Sequence, residues 1–322
     1  MKSMNDDEKY MLRCLQLARN GQQNAKPNPM VGAVIVSADG RIIGEGYHVR
    51  CGEAHAEVNA FASVLPEDEP LLREATMYVS LEPCSHYGKT PPCADLIVKK
   101  GIPRVVIGCI DDFAQVQGRG VQKLLDAGIE VKVGVLEDEC RQLNRRFFTF
   151  QRLSRPYIIL KWAQTANGFI DDHGKAIAIS SPFTRMLAHK LRAEEDAILI
   201  GRVTDDREHP QLNVRHWVGP NPRRLVVDRQ HPLNLESLHA HGVQSLIVEG
   251  GAKTLQSFLI QGLWDEIRVE TNLALTVTGG TRAPQLPANA VAAQHELYGD
   301  NQIISYRNQQ ALHPTSPSPT SR

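Results

Sequence analysis

Leu81-Glu82-Pro83-Cys84-Ser85-His86-Tyr87-Gly88-Lys89-Thr90-Pro91-Pro92-Cys93, taken with His55-Ala56-Glu57 upstream, is the stretch on which the reading of this chain turns. It offers one imidazole and two thiols as soft metal ligands, with a carboxylate two residues from the imidazole. Zinc accepts this N/S set, and three protein ligands leave one tetrahedral position for water, as in a catalytic site. Such a water ionises near neutral pH, and a carboxylate beside it can carry protons. His55, Cys84 and Cys93 are therefore the expected ligands and Glu57 the expected proton carrier. A structural zinc would need a fourth ligand, for which Cys51 and His86 are the nearest candidates. Positions i and i+2 of a regular helix do not share a face, so Glu57 reaches the site only if the pocket wraps the first turn.

Around this stretch, apolar runs that read as strands alternate with amphipathic segments. Residues 5–20 suit a helix, broken by Pro27-Asn28-Pro29. Val31–Val36 reads as a buried strand, turned by Asp39-Gly40 into a hairpin with Arg41–Gly46. His55–Leu65 has helical spacing, and Thr76–Leu81 is a strand that delivers Glu82-Pro83-Cys84 at its end. Pro91 and Pro92 are good helix openers, so Cys93 starts the next helix, where the dipole favours a thiolate. Strand Arg104–Cys109, helix Gly118–Gly128, strand Ile129–Val135 and helix Glu137–Phe150 follow. The alternation implies a layered α/β sheet.

Ser154-Arg155-Pro156 is a plausible boundary, and 322 residues favour two domains. The second half restarts with strand Tyr157–Ala163 and a helix opened by Pro182. Ala197–Gly201, Arg224–Asp228, Leu246–Val248 and Ile267–Glu270 are further strands. Glu249-Gly250-Gly251 lies between a strand and the helix Ala252–Ile260, where turn amides can hold a phosphate. We expect domains at 1–150 and 155–308, with a disordered Pro/Ser/Thr-rich tail at 309–322.

Lys plus Arg equals Asp plus Glu, 36 against 36, so no overall field gathers polyanions, which argues against a nucleic-acid partner. The acidic start lacks the apolar core of a signal peptide, and no run approaches membrane-spanning length. Six cysteines without a secretion signal read as reduced thiols, so a cytoplasmic protein with no membrane partner is expected.

H-x-E followed by P-C-x-x-C is the signature of zinc nucleobase deaminases, but here eight residues rather than two separate the cysteines. With that long loop, and with Pro27–Val34, Gly46-Tyr47-His48, Gly52–Val58, Gly118-Arg119-Gly120, Leu160–Ala163, Leu191-Arg192-Ala193, Asp196–Leu199, Val248–Gly251 and Leu263–Glu266, the chain resembles the bifunctional deaminase/reductase family of riboflavin biosynthesis. The resemblance runs from about Glu8 to Arg307. It implies a cytidine-deaminase-like three-layer domain followed by a dihydrofolate-reductase-like α/β domain. The first would deaminate a phosphorylated diaminopyrimidinone ribosylamine, and the second would reduce its ribosyl group to ribityl with NADPH.

The resemblance also implies residue roles. His55, Cys84 and Cys93 would hold Zn2+, and Glu57 would carry protons to the departing ammonia. Asn28, His48, Lys89 and Asp111 would contact the deaminase substrate. Arg192, Leu212, Arg215 and Glu249 would contact the reductase substrate. Gln164, Thr204, Glu208, Gly250 and Gly251 would lie on the cofactor side. A homo-oligomer is implied too.

Departures from the family pattern cluster in the second half. Thr165-Ala166-Asn167-Gly168 replaces Ser-Leu-Asp-Gly, Ala176 and Ala178 replace a Ser and a Trp, and Glu208-His209-Pro210 replaces an acidic-proline motif. The stretch between Asp228 and Ser245 is short, as though a strand and a helix were missing. In the first half Asp112-Phe113-Ala114 replaces Pro-Asn-Pro. These differences raise the alternative of a deaminase whose second domain serves as a scaffold.

Overall fold

The computed structural model describes residues 4–87, 91–111 and 117–309, which form two compact units, Met1–Ser154 and Arg155–Arg322. Lys89, Asp112-Phe113-Ala114 and the segment from Gln310 onward, on which some of the expectations above fall, lie outside the described residues.

The first unit is built on β1 (Gly32–Val36), β2 (Ile42–Tyr47), β3 (Thr76–Leu81), β4 (Arg104–Cys109) and β5 (Glu130–Val133), in the order β2-β1-β3-β4-β5. β1 is antiparallel to β2 and β3, while β3, β4 and β5 are parallel. The helices are α1 (Asp6–Ala18), α2 (Ala56–Ala62), α3 (Cys93–Lys100), α4 (Arg119–Asp126), α5 (Glu137–Leu143) and α6 (Arg145–Leu153). Strand side chains alternate between faces. Ala33, Ile35, Met77, Val79, Val105 and Ile107 pack with α2, α3 and α4. Val34, Tyr78 and Val106 pack with α1, α5 and α6. Three layers result.

The single helix expected over Glu137–Phe150 is two, broken at Asn144. The carboxamide of Asn144 accepts from the Met30 N–H at 2.8 Å and donates to the Met30 carbonyl at 2.8 Å. That pairing anchors the segment carrying Asn28.

The second unit has a seven-stranded sheet, with β6 (Tyr157–Thr165), β7 (Ala197–Gly201), β8 (Arg223–Val227), β9 (Ser245–Val248), β10 (Glu266–Asn272), β11 (Ala290–Tyr298) and β12 (Asn301–Asn308) ordered β11-β12-β10-β6-β9-β7-β8. The five strands from β10 to β8 are parallel, and the β11–β12 hairpin adds antiparallel to β10. α7 (Pro182–Glu194) covers one face through Leu191. α9 (Leu235–Ala240) and α10 (Ala252–Ile260) cover the other through Leu238, Leu255 and Phe258. α8 (Arg202–Glu208) follows β7 directly. The short 228–245 stretch carries one helix, α9. The β11–β12 hairpin is an addition that the sequence reading did not contain. No helix among the described residues is long and apolar enough to cross a membrane.

Candidate active sites

In the first unit the chemistry gathers at the carboxyl ends of the parallel strands, where loops of an α/β sheet converge. His55 is not inside a helix. It is the N-cap of α2, with extended backbone (φ −71°, ψ 165°), and Glu57 is in the first turn. The chain changes direction between them, so the i, i+2 restriction of a regular helix does not apply, and the two side chains are near enough to interact electrostatically. Cys84 follows β3, and Cys93 opens α3 behind the N-cap Pro92.

His55 Nδ1 stands 3.5 Å from Cys84 Sγ and 3.3 Å from Cys93 Sγ. Zinc bonds of about 2.0–2.3 Å in tetrahedral geometry set ligand atoms roughly 3.5–3.8 Å apart, so this triangle has the right size and donor chemistry for the ion. All three ligand atoms lie within 4.8 Å of one another, and among the described residues no fourth His, Cys, Asp or Glu joins them. Cys51 and His86, the candidates for a closed structural site, are both exposed and stay outside the cluster.

Charge at the site is shaped by close contact. Hydrogen bonds from Cys93 and His55 draw the Cys84 thiol well below its usual pKa, which favours the ligating thiolate. The backbone N–H of Cys93 donates to Cys84 Sγ at 3.3 Å, as does that of Ala94 to the Cys84 carbonyl at 3.2 Å. Glu57 is buried, and that burial, with the neighbouring Cys84 sulfur, lifts its carboxyl to about 7. A carboxyl poised near neutrality can both take and give a proton.

Two of the expected substrate contacts stand beside this cluster. His48 is buried and packs edge-on against His55, ring centroids 5.4 Å apart. Its Nε2 meets the Asn28 Nδ2 at 3.2 Å. Asp111, just past the end of β4, is buried, and its N–H donates to Glu82.

In the second unit Arg192 on α7 forms a two-pronged ion pair with Glu249, at 3.1 and 2.7 Å. Arg192 also donates to the Asn213 carbonyl at 3.4 Å. Arg215 donates from its side chain to Asn213 Oδ1 at 2.9 Å and from its backbone to His189 Nδ1 at 3.1 Å. Leu212 is different: its side chain is in the core beneath α7. Burial alone would raise the Glu249 carboxyl, but Lys161 and Arg192 outweigh it and hold it below its ordinary value. His189, pressed by burial and by Arg192 and Arg215, falls to about 4 and is neutral.

The sequence reading assigned no role to Lys161 or His189. The signal for Lys161 was its strand: Leu160 pairs with Val248, so the next residue on each strand brings Lys161 beside Glu249.

Gly250 and Gly251 turn from β9 into α10 against the start of α8. A Cβ on Gly250 would lie 2.8 Å from the Gly201 nitrogen, and one on Gly251 2.8 Å from Thr204 Oγ1. The Gly251 N–H donates to that hydroxyl at 3.0 Å. This bare-backbone cradle at a helix start fits a phosphate-bearing cofactor. The other two cofactor-side residues are elsewhere. Glu208 is exposed and paired with Arg207 at the far end of α8. Gln164 shares the opposite sheet face with Trp162, whose Nε1–H it accepts at 2.9 Å, and lines a cavity of about 400 Å3 with Thr271 and Tyr306.

Comparison with known proteins decides the family. Residues 4–109 match the cytidine and deoxycytidylate deaminase zinc-binding region, and residues 156–237 and 231–286 match the RibD C-terminal domain. The riboflavin biosynthesis protein RibD of Aquifex aeolicus is 39% identical over 310 residues, covering 82% of this chain and 86% of the relative. This chain belongs to the RibD family. RibD of Bacillus amyloliquefaciens is 36% identical, covering 87% of each chain. A Thermotoga maritima crystal structure, a diaminohydroxyphosphoribosylaminopyrimidine deaminase/5-amino-6-(5-phosphoribosylamino)uracil reductase, superposes with a TM-score of 0.84 at 32% identity over 94% of this chain and 99% of that one. Membership brings both halves together, a zinc deaminase domain and an NADPH reductase domain.

Proposed function

We propose that the first unit deaminates 2,5-diamino-6-(5-phosphoribosylamino)pyrimidin-4-one and that the second reduces the ribosyl group of the product to ribityl. The observation that carries the first half is the open three-donor cluster His55, Cys84 and Cys93 with a buried carboxyl against it. Zinc held there supplies a Lewis-acidic centre that makes hydroxide available near neutral pH. Glu57 would take a proton from the attacking water as its oxygen bonds to the ring carbon and pass it to the amine nitrogen, so that the C–N bond breaks with loss of ammonia while the other water proton ends on the ring nitrogen. Asn28 and Asp111 hold the ring edge. Neutral His48 supports Asn28, and Lys89 supplies positive charge for the phosphate.

In the second half NADPH supplies the reducing equivalents. Arg192 and Arg215 offer forked donors to a phosphorylated substrate, and Glu249, kept ionised by Lys161 and Arg192, is an acceptor for its hydroxyls. Thr204, Gly250 and Gly251 hold the cofactor phosphates. The scaffold alternative is not favoured, because the RibD C-terminal match and the Arg192–Glu249 pair are both retained. A homo-oligomer remains part of this reading.

The test is an assay of both half-reactions on the purified chain with metal content measured alongside. Glu57→Gln should keep zinc yet lower ammonia release by about a thousandfold. Persistent release would sink the mechanism. No NADPH oxidation with the deaminated substrate at any concentration would restore the scaffold alternative.

A further inference from the structure

Glu82 is a buried carboxylate to which the reaction assigns no role. It stands between the end of β3 and the ligand Cys84, and is 4% exposed. Its own N–H donates to the Cys109 carbonyl at 3.0 Å, which ties the end of β3 to β4. Its carboxylate accepts from four main-chain N–H groups. Oε2 takes those of Asp111 at 3.3 Å and Gly118 at 3.0 Å. Oε1 takes those of Gly120 at 2.9 Å and Val121 at 3.2 Å, in the first turn of α4. A helix start leaves such donors unpaired and attracts negative charge, so Glu82 caps α4 from another part of the chain.

Glycine is required where these segments touch. A Cβ on Gly120 would sit 2.0 Å from the Pro83 carbonyl oxygen, so the α4 backbone lies directly against the metal-ligand loop. Gly118, at φ +73°, makes the left-handed turn that aims its N–H at Glu82. The N–H groups of Asp111 and Gly118 thus share one oxygen atom, which ties the end of β4 to the start of α4.

We propose that Glu82 is the positioning residue that sets Asp111 and the start of α4 relative to the Cys84 ligand loop, and so fixes how the pyrimidine is held against the metal site. The inference rests on the deaminase reading above and deepens it. Glu82 touches no reacting atom. It joins the loop that carries Cys84 to Asp111 and to the start of α4, through four hydrogen bonds that only a carboxylate can accept together. An amide in its place keeps one accepting oxygen and turns an NH2 group toward two N–H donors.

The test uses the zinc-loaded full chain. Glu82→Gln should raise KM for the diaminopyrimidinone by about tenfold or more while kcat falls by no more than about threefold, with zinc content and reductase activity of the same preparation unchanged. Gly118→Ala serves as the second variant, because it strains the turn where nothing lies within 4 Å of the new Cβ. It should raise KM in the same direction by a smaller factor. An unchanged KM in both variants overturns the proposal. So does a loss of kcat in step with a loss of zinc, which would make Glu82 a support of the metal loop alone. A wild-type chain that releases no ammonia would overturn the reading of the site itself.

Discussion

His48 Nδ1 faces the Ala54 carbonyl at 3.1 Å, and a carbonyl can only accept, so the ring proton sits on Nδ1. Burial lowers the pKa of this imidazole, so it is neutral and its Nε2 accepts from the Asn28 amide. That contact decides which way round the Asn28 carboxamide lies and leaves Oδ1 as the acceptor for a ligand donor. Asn28→Ala should therefore lower deaminase kcat/KM by about ten- to hundredfold, and His48→Phe by about tenfold, near 1.4 kcal/mol. Because His48 acts through Asn28, the double variant should be little worse than Asn28→Ala alone. Additive losses in that double-mutant cycle would show that His48 contacts the ligand independently. Metal chemistry restricts ligands to a few residue types at telling spacings, which is why His55, Cys84, Cys93 and Glu57 were legible in the sequence. The orientation of Asn28 was not, because the ring that sets it is 20 positions away.

The strands legible from their apolar, β-branched runs, Thr76–Leu81 and Arg104–Cys109, are also the ones that carry the first site. Less legible was the β11–β12 hairpin: Ala290–Tyr298 has three Ala among its nine residues and is exposed along most of its length, so neither propensity nor alternation marked it. The break at Asn144 depended on Met30, a partner 114 residues away. α1 is attached to its sheet by a similarly distant contact. Asp7 accepts two bonds from Arg104 at 3.1 and 3.0 Å, one from Tyr78 at 3.0 Å and one from Lys132 at 2.7 Å. The Arg104 guanidinium outweighs burial and holds the Asp7 carboxyl well below the usual carboxylate range. A folded pKa below the unfolded one contributes stability that is complete above the unfolded value and is lost as pH falls through the folded one. Asp7→Asn should thus destabilise the first unit by about 2 kcal/mol at pH 7. The difference from wild type should shrink as the pH is taken below about 4, the ordinary carboxyl range. Urea titrations followed by far-UV circular dichroism at both pH values measure it, and a gap that widened in acid would contradict the sign.

At the scale of the whole molecule, each hydrophobic cluster lies within one unit. The residues around β1–β5 form two, and those around β6–β12 form two more. All three tryptophans, Trp162, Trp217 and Trp264, belong to the second unit, and Trp162 and Trp264 are in its core. Indole emission therefore reports on the reductase unit, while ammonia release reports on the other. Arg192→Gln removes one of the two cations that compensate the Glu249 carboxylate and should cost the second unit up to about 3 kcal/mol, seen as a lower tryptophan-detected midpoint. Reduction should be lost, because the forked donor to the substrate is gone. Deamination should stay within about twofold of wild type, since Glu57 and the zinc ligands belong to a separately packed core. The converse variant, Glu57→Gln, should reduce added deaminated substrate at the wild-type rate. Mixing the two variants should then restore the two-step conversion, with a lag while the released intermediate accumulates. Failure of the mixture, with each retained half-reaction verified separately, would mean that the intermediate has to stay on the chain that made it.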